Sequence, residues 1–347
     1  MTRTQGTGRR PGVALAVAVA LVALASAPGA LAAPAPDASA RPGAFTFAFV
    51  ANLHSDTVSV IDTRTDTVVD SVRVGAGPDS VAVTPDGAHV YVTNSAADTV
   101  SVIETRTRTV VDTIAVGGEP SRVTISPDGG RAYVANVRSD DVSVISTRTR
   151  KVTDTVKVGD SPLGLAVLPD GSRLYVANAA SDDVSVVRTD TNTVVGTVPV
   201  GNGPTALALT PDGRELYVSD LTSADVSVIE TCGNTVTARV PVGVQPAGIG
   251  AGPDGRHVYV ANIGSSSVSV ISTRTHRVTD TIEVGVGPNG LAVGPDGSHL
   301  YVSEFEADTV SVIDTAAARV TATVPVGDGP TGVAVTPRKR GPGTTGR

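Results

Sequence analysis

A Tyr-Val pair recurs every 42 residues, a Pro-Asp-Gly turn keeps the same register, and the segments between turns alternate apolar and polar residues. These three observations predict an all-β chain: a seven-bladed β-propeller of four-stranded antiparallel blades, closed by pairing the C-terminal strand with the N-terminal blade. The pair stands at Tyr91, Tyr133, Tyr175, Tyr217, Tyr259 and Tyr301. One step of 42 residues back from Tyr91 reaches Phe49, which makes seven copies. The turns at Pro85, Pro127, Pro169, Pro211, Pro253 and Pro295 follow the same count, and the seventh decays to Pro337-Arg338-Lys339.

Each repeat contains four strand patterns. In the first complete copy they are Ser80 to Val83, Val90 to Thr93, Val100 to Ile103 and Val110 to Val116. They are rich in β-branched residues and are punctuated by Gly, Pro, Asp and Asn. No stretch beyond the N-terminal segment has helical period. The first copy lacks its first strand, which reappears at the far end as Gly332 to Thr336. The two chain ends therefore meet in one blade, with Phe45 to Val74 supplying its other three strands. Closure of this kind removes unpaired sheet edges.

The expected domain organisation has four parts. Residues 1–32 read as a signal peptide: Arg3, Arg9 and Arg10 precede an uncharged run from Val13 to Ala27, then Ala30-Leu31-Ala32. That run is short of the roughly 20 residues that span a bilayer. No stable membrane insertion is expected after cleavage, and the predicted location is extracellular or loosely on the cell surface. Residues 33–43 form an Ala/Pro-rich linker, residues 44–337 the propeller, and residues 338–347 a basic tail without periodicity, expected to be disordered.

Composition narrows the function classes. The chain has 347 residues, a formal charge of -7, one Cys, no Trp and only 3 % aromatics. A lone Cys excludes an intrachain disulfide. Net acidity and scarce aromatics argue against nucleic acid as a partner. Arg residues do gather in the Pro-Asp-Gly and Thr-Arg-Thr turns, so a polyanion on that face is a further alternative. No residue pattern calls for a cofactor or a metal. Repeated Asp56, Asp98, Asp140, Asp182 and Asp308 read as turn caps, because a calcium loop needs more oxygen ligands close together.

The aromatic column reads as core wedges between blades. Asn52, Asn94, Asn136, Asn178 and Asn262, with Asp220 and Glu304 in the same column, read as backbone-bonding residues at strand ends. The inner strands carry small residues at alternate positions, and Arg122 is the one exception. Function must lie where the repeats differ. On the face that carries the loop between second and third strands, the differing residues are His54, Asp79, Glu119, Arg122, Arg138, Asp220, Asn289, Glu304, Phe305 and Glu306. They form the candidate ligand or partner patch. An enzyme would need acid, base and cation at one channel mouth. His54, Glu304, Glu306 and Arg122 are the set available, and closure makes the repeats of His54 and Glu304 neighbours.

Tyr-Val-Thr-Asn at Tyr91 and Tyr-Val-Ala-Asn at Tyr133, Tyr175 and Tyr259 resemble the YVTN β-propeller repeat family. Val-Ser-Val-Ile-Asp-Thr at Val58 and Val310 and the Val-Gly-x-Gly-Pro turns fit the same resemblance. It implies a seven-bladed propeller in exported or surface proteins of bacteria and archaea. Family relatives include a periplasmic protein that binds DNA, surface-layer proteins and, more distantly, lactonase-like and quinoprotein dehydrogenase-like propellers. The motif residues are scaffold, so no catalytic role transfers with them. The reading that results is a secreted, monomeric binding scaffold for a protein, glycan or cell-wall component. A lactonase-like or lyase-like enzyme is the alternative.

Overall fold

In the computed structural model, which describes residues 46–337, seven four-stranded antiparallel sheets follow one another along the chain. The signal peptide, the linker and the basic tail expected from the sequence lie outside the described residues. Blade 1 is built from Pro330–Val335, Phe47–Asn52, Thr57–Asp62 and Thr67–Arg73, in that order from the inner strand outward. The pairing Ala48↔Val335, Phe49↔Ala334 and Val50↔Val333 joins the two ends of the chain and closes the ring. Blade 2 comprises Pro78–Val83, His89–Asn94, Thr99–Glu104 and Thr109–Ala115, within two residues of the sequence reading. Blades 3 to 7 repeat that order. A single 3₁₀ turn, Ile263–Ser265, is the one helical segment among the described residues.

Local chemistry fixes the hairpins. In blade 2, Asp86 accepts hydrogen bonds from the Thr84 hydroxyl (2.6 Å) and the Ala88 N–H (2.9 Å), and Gly87 adopts φ 69°. The repeated Asp residues sit at φ 50–57° and accept an N–H from the linker to the next blade, as Asp56 does from Gly77 at 3.0 Å. Asp tolerates this left-handed conformation better than most residues because its side chain bonds locally. In five blades the Asn of the second strand donates to residues of the third, as Asn94 does to Thr99 and Ser101 at 3.0 Å. The outer strand carries a bulge in every blade, opposite Val60/Ile61 in blade 1 and its equivalents. A bulge twists and blunts a sheet edge, which discourages edge-to-edge pairing.

The core lies between blades. Phe49 and the six tyrosines are 0–5 % exposed. Tyr175 packs with Leu216, Val218 and Ile229 of blade 5. Tyr301 packs with Ala48, Val50 and Ile61, so the same wedge operates across the closure. Toward the axis the inner strands nearly touch. A Cβ on Gly290 would lie 2.2 Å from the Thr331 carbonyl oxygen, and one on Gly248 2.3 Å from that of Asn289. That approach is why small residues recur in this column.

Candidate functional site

The inner strands surround a cavity of about 110 Å³ on the propeller axis. The fourth residue of every inner strand, from Val81 to Val333, is Val, Leu or Ile and lines it. Ser80, Arg122 and Thr124 are its side-chain hydrogen-bonding groups, and all three come from blades 2 and 3. Arg122 stands where the other inner strands carry Ser, Ala or Gly. Its guanidinium makes no hydrogen bond and no ion pair among the described residues. Burial lowers its proton affinity, partly offset by the field of Asp79. Burial likewise pushes the Asp79 carboxyl up to about 6, with Arg122 holding it down and Glu119 pushing it up. The two charges therefore sense each other without closing a salt bridge.

The ten candidate residues separate into distinct groups. Asp79, Glu119 and Arg122 cluster at blades 2 and 3. Arg138 lies beside them but is committed to Asp98, with both carboxylate oxygens within 2.9 Å. The Glu119 N–H also bonds Asp98, at 2.7 Å. His54 and Phe305 meet across the ring closure in an edge-to-face contact of 5.3 Å. His54 Nδ1 lies 3.4 Å from Asp328, and Glu306 packs beside Gly287, in the linker from blade 6 into blade 7. Asn289 lies in the inner strand of blade 7, where its backbone oxygen abuts Gly248.

Asp220 and Glu304 do not face outward with the others. They are 0 % and 1 % exposed. Glu304 accepts the Gly285 N–H at 2.6 Å and the hydroxyls of Thr309 and Ser311. Asp220 accepts the Ser227 N–H at 3.2 Å and the Ser227 hydroxyl at 2.6 Å. Both do the work of the Asn column to which their repeat position assigns them. Placing them in a surface patch was a misreading of their loop-adjacent position. Burial pushes Asp220 up to about 7, against the hydrogen bond from Ser227, and the neighbouring Asp225 adds to the rise. Of the four residues an acid–base reading would use, no hydrogen bond, ion pair or ring contact among the described residues joins His54, Glu304, Glu306 and Arg122 to one another.

Two residues on this face escaped the sequence reading. Val244 and Val286, in the linkers into blades 6 and 7, are 55 % and 52 % exposed. The Gly264 N–H bonds Val244 O and the Phe305 N–H bonds Gly287 O, which puts these linkers beside the hairpin tips. With the half-buried Leu53, Leu221, Ile263 and Phe305 they place large apolar residues in the loops of blades 5, 6, 7 and 1, an apolar arc in blade order, and blade 3 carries Val137 at the same hairpin position. The signal was available: the other repeats carry Ala76, Gly118, Asp160, Asn202 and Asp328 at that linker position. On the opposite face some Arg side chains are held, either within their own turn or by the next blade. Arg64 pairs with Asp62 at 2.6 Å, and Arg131 and Arg173 bond the Thr189 and Thr231 carbonyls.

The family model for YNCE-like β-propellers matches residues 9–339. The chain belongs to the YNCE-like β-propeller family. Nothing matches among curated protein sequences. Similar solved structures span nearly all of this YNCE-like propeller. Hydrazine synthase of Kuenenia stuttgartiensis is 27 % identical, with a TM-score of 0.70, over 77 % of this chain and 92 % of that one. A functionally unknown protein from Desulfotomaculum acetoxidans is 20 % identical, with a TM-score of 0.76, over 84 % and 99 %. A candidate 6-phosphogluconolactonase from Bacteroides uniformis is 16 % identical, with a TM-score of 0.71, over 84 % and 99 %. Likeness at the last two identities speaks for fold alone.

Proposed function

We propose that this YNCE-like propeller is an exported binding scaffold of the YVTN-repeat kind, monomeric, which presents its variable-loop face to a protein, glycan or cell-wall component. The observation that carries the reading is the apolar arc. Two exposed valines, an aromatic and three further aliphatics occupy the loops of adjacent blades, and Arg138 pairs with Asp98 at blades 2 and 3 of the same face. Contiguous apolar surface bordered by charge is the usual make-up of an interaction site. Phe305 is held by His54 and backed by Gly329, so it is a preorganised anchor of the kind that dominates binding energy. The rigid closed ring reduces the ordering cost of association.

The test is retention of the purified protein on native cell-surface material, compared with a Val244→Asp/Val286→Asp variant and with Phe305→Ala. The substituted positions are exposed or half-buried, so folding is expected to be preserved. Retention lost in both variants supports the arc as the docking surface. Retention equal to the parent protein in both overturns it. Loss only on adding salt, with the arc variants unaffected, transfers the role to charged residues.

A further inference from the structure

We propose that the axial cavity beside Arg122 is a binding site for a small monocarboxylate, gripped by the Arg122 guanidinium and by the Ser80 and Thr124 hydroxyls that line the same space. The inference goes beyond the docking arc, since this cluster lies at blades 2 and 3 and the arc runs from blade 5 to blade 1. It starts from an uncompensated cation. Buried charges are ordinarily paired and hydrogen-bonded, because leaving one unpaired costs several kcal/mol. Arg122 is half-buried, lines the axial cavity and has neither a hydrogen bond nor an ion pair among the described residues. Asp79 is near enough to act on it electrostatically, yet no salt bridge forms.

The lining supplies the rest of the recognition. The Ser80 oxygen accepts the Val123 N–H at 3.5 Å, while its own hydrogen has no acceptor among the described residues. The Thr124 hydroxyl likewise makes no hydrogen bond among the described residues and lines the cavity. Three donor groups thus converge from two neighbouring strands, and the other five inner strands offer no charged side chain. A planar guanidinium fork matches a carboxylate bidentately. Size narrows the class. The cavity, about 110 Å³, is smaller than the roughly 150 Å³ that holds a benzene. Charge narrows it further. Asp79 acts electrostatically on Arg122, Glu119 acts on Asp79, and the chain is acidic overall, so a second negative charge on the ligand is repelled. These features favour a monoanion over sulfate or a phosphate dianion.

The charged group that acts on Arg122 is Asp79 of blade 2, and Glu119 at the entry to blade 3 acts on Asp79. Asp79 competes with a bound carboxylate while it is ionised. Its protonation as the pH falls removes that competitor, so affinity rises toward acid.

Acetate and lactate, titrated into the full purified chain at low ionic strength and followed by calorimetry, are the probes. Saturable binding is expected, weakened at least about tenfold by Arg122→Ala and less by Arg122→Lys, which keeps the charge and loses the fork. Between about pH 7.5 and about pH 5.5 affinity should rise, and Asp79→Asn should flatten that slope. Thermal melts serve as the folding control. Alanine occurs at this position in another blade, so Arg122→Ala is expected to fold. Absence of saturable binding overturns the proposal. So does binding that Arg122→Ala leaves unchanged, and so does sulfate binding as tightly as acetate. The Val244→Asp/Val286→Asp variant should bind acetate normally, which separates failure of this site from failure of the docking arc.

Discussion

Replacing Asp220 with Asn should stabilise the protein, and by an amount that grows with pH. Asp220 is fully buried and faces Asp225 in strand register. One oxygen of each carboxylate is buried without a partner. Blade 4 shows the arrangement these positions suit: Asn178 Nδ2 donates to Asp183 at 2.6 Å and to Ser185 at 2.9 Å. Blade 5 has two acids there and no N–H between them. Among the described residues the one cation close by is Arg239, 3.8 Å from Asp225. The carboxyl of Asp220 titrates near 7, against 3.8 for an ordinary one. The folded chain therefore binds an extra proton between those values. The stability tied to that proton is complete below about pH 4 and is lost as pH rises through about 7. The displacement corresponds to at most about 4 kcal/mol at pH 8, and relaxation around the site will reduce it. Restoring the amide donor to Asp225 adds about 1 kcal/mol. We expect Asp220→Asn to be nearly neutral at pH 4.5 and stabilising by about 2–4 kcal/mol at pH 8. Denaturant melts of both proteins across this range measure the difference. A gap that does not change with pH, or a variant less stable at pH 8, would refute the assignment of Asp220 as a protonated buried acid.

Two further perturbations probe the scaffold. Tyr175→Ala should cost about 3–5 kcal/mol, because a fully buried ring is removed from between blades 4 and 5, and Tyr175→Phe only about 1 kcal/mol, for the hydroxyl bonds to Thr231 and Asn234; a near-neutral alanine variant in a thermal melt would contradict the wedge role. Gly290→Ala should destabilise by about 1–3 kcal/mol, because its methyl would meet the Thr331 carbonyl. An unchanged unfolding midpoint would mean the inner strands can spread.

The regular features were legible because each obeys a local rule stated seven times. The 42-residue register, the hairpin turns and the Asn column are properties of single repeats, and a repeat carries its own evidence. Closure was legible for the same reason: the strand missing before Phe47 is present after Pro330. The non-repeating positions do not all lie in one surface patch. Asp220 and Glu304 occupy the Asn column, and column membership, which points them inward, outweighed their charge. His54 and Phe305 are 251 positions apart, and only closure brings them into contact. Val244 and Val286 depart from the small or polar residues of the other repeats in sequence, and their exposure is a property of the folded chain.

By itself, then, the sequence determined the number of blades, the order of strands and the side chains that wedge between sheets, since alternation and turn chemistry act over a few residues. The tertiary structure alone decided that Arg122 lines a cavity without a salt bridge, that Asp220 lies against a second acid, and that His54 meets Phe305. Those facts are distances between blades, set by how tightly the inner strands approach around the axis, and no local pattern encodes them.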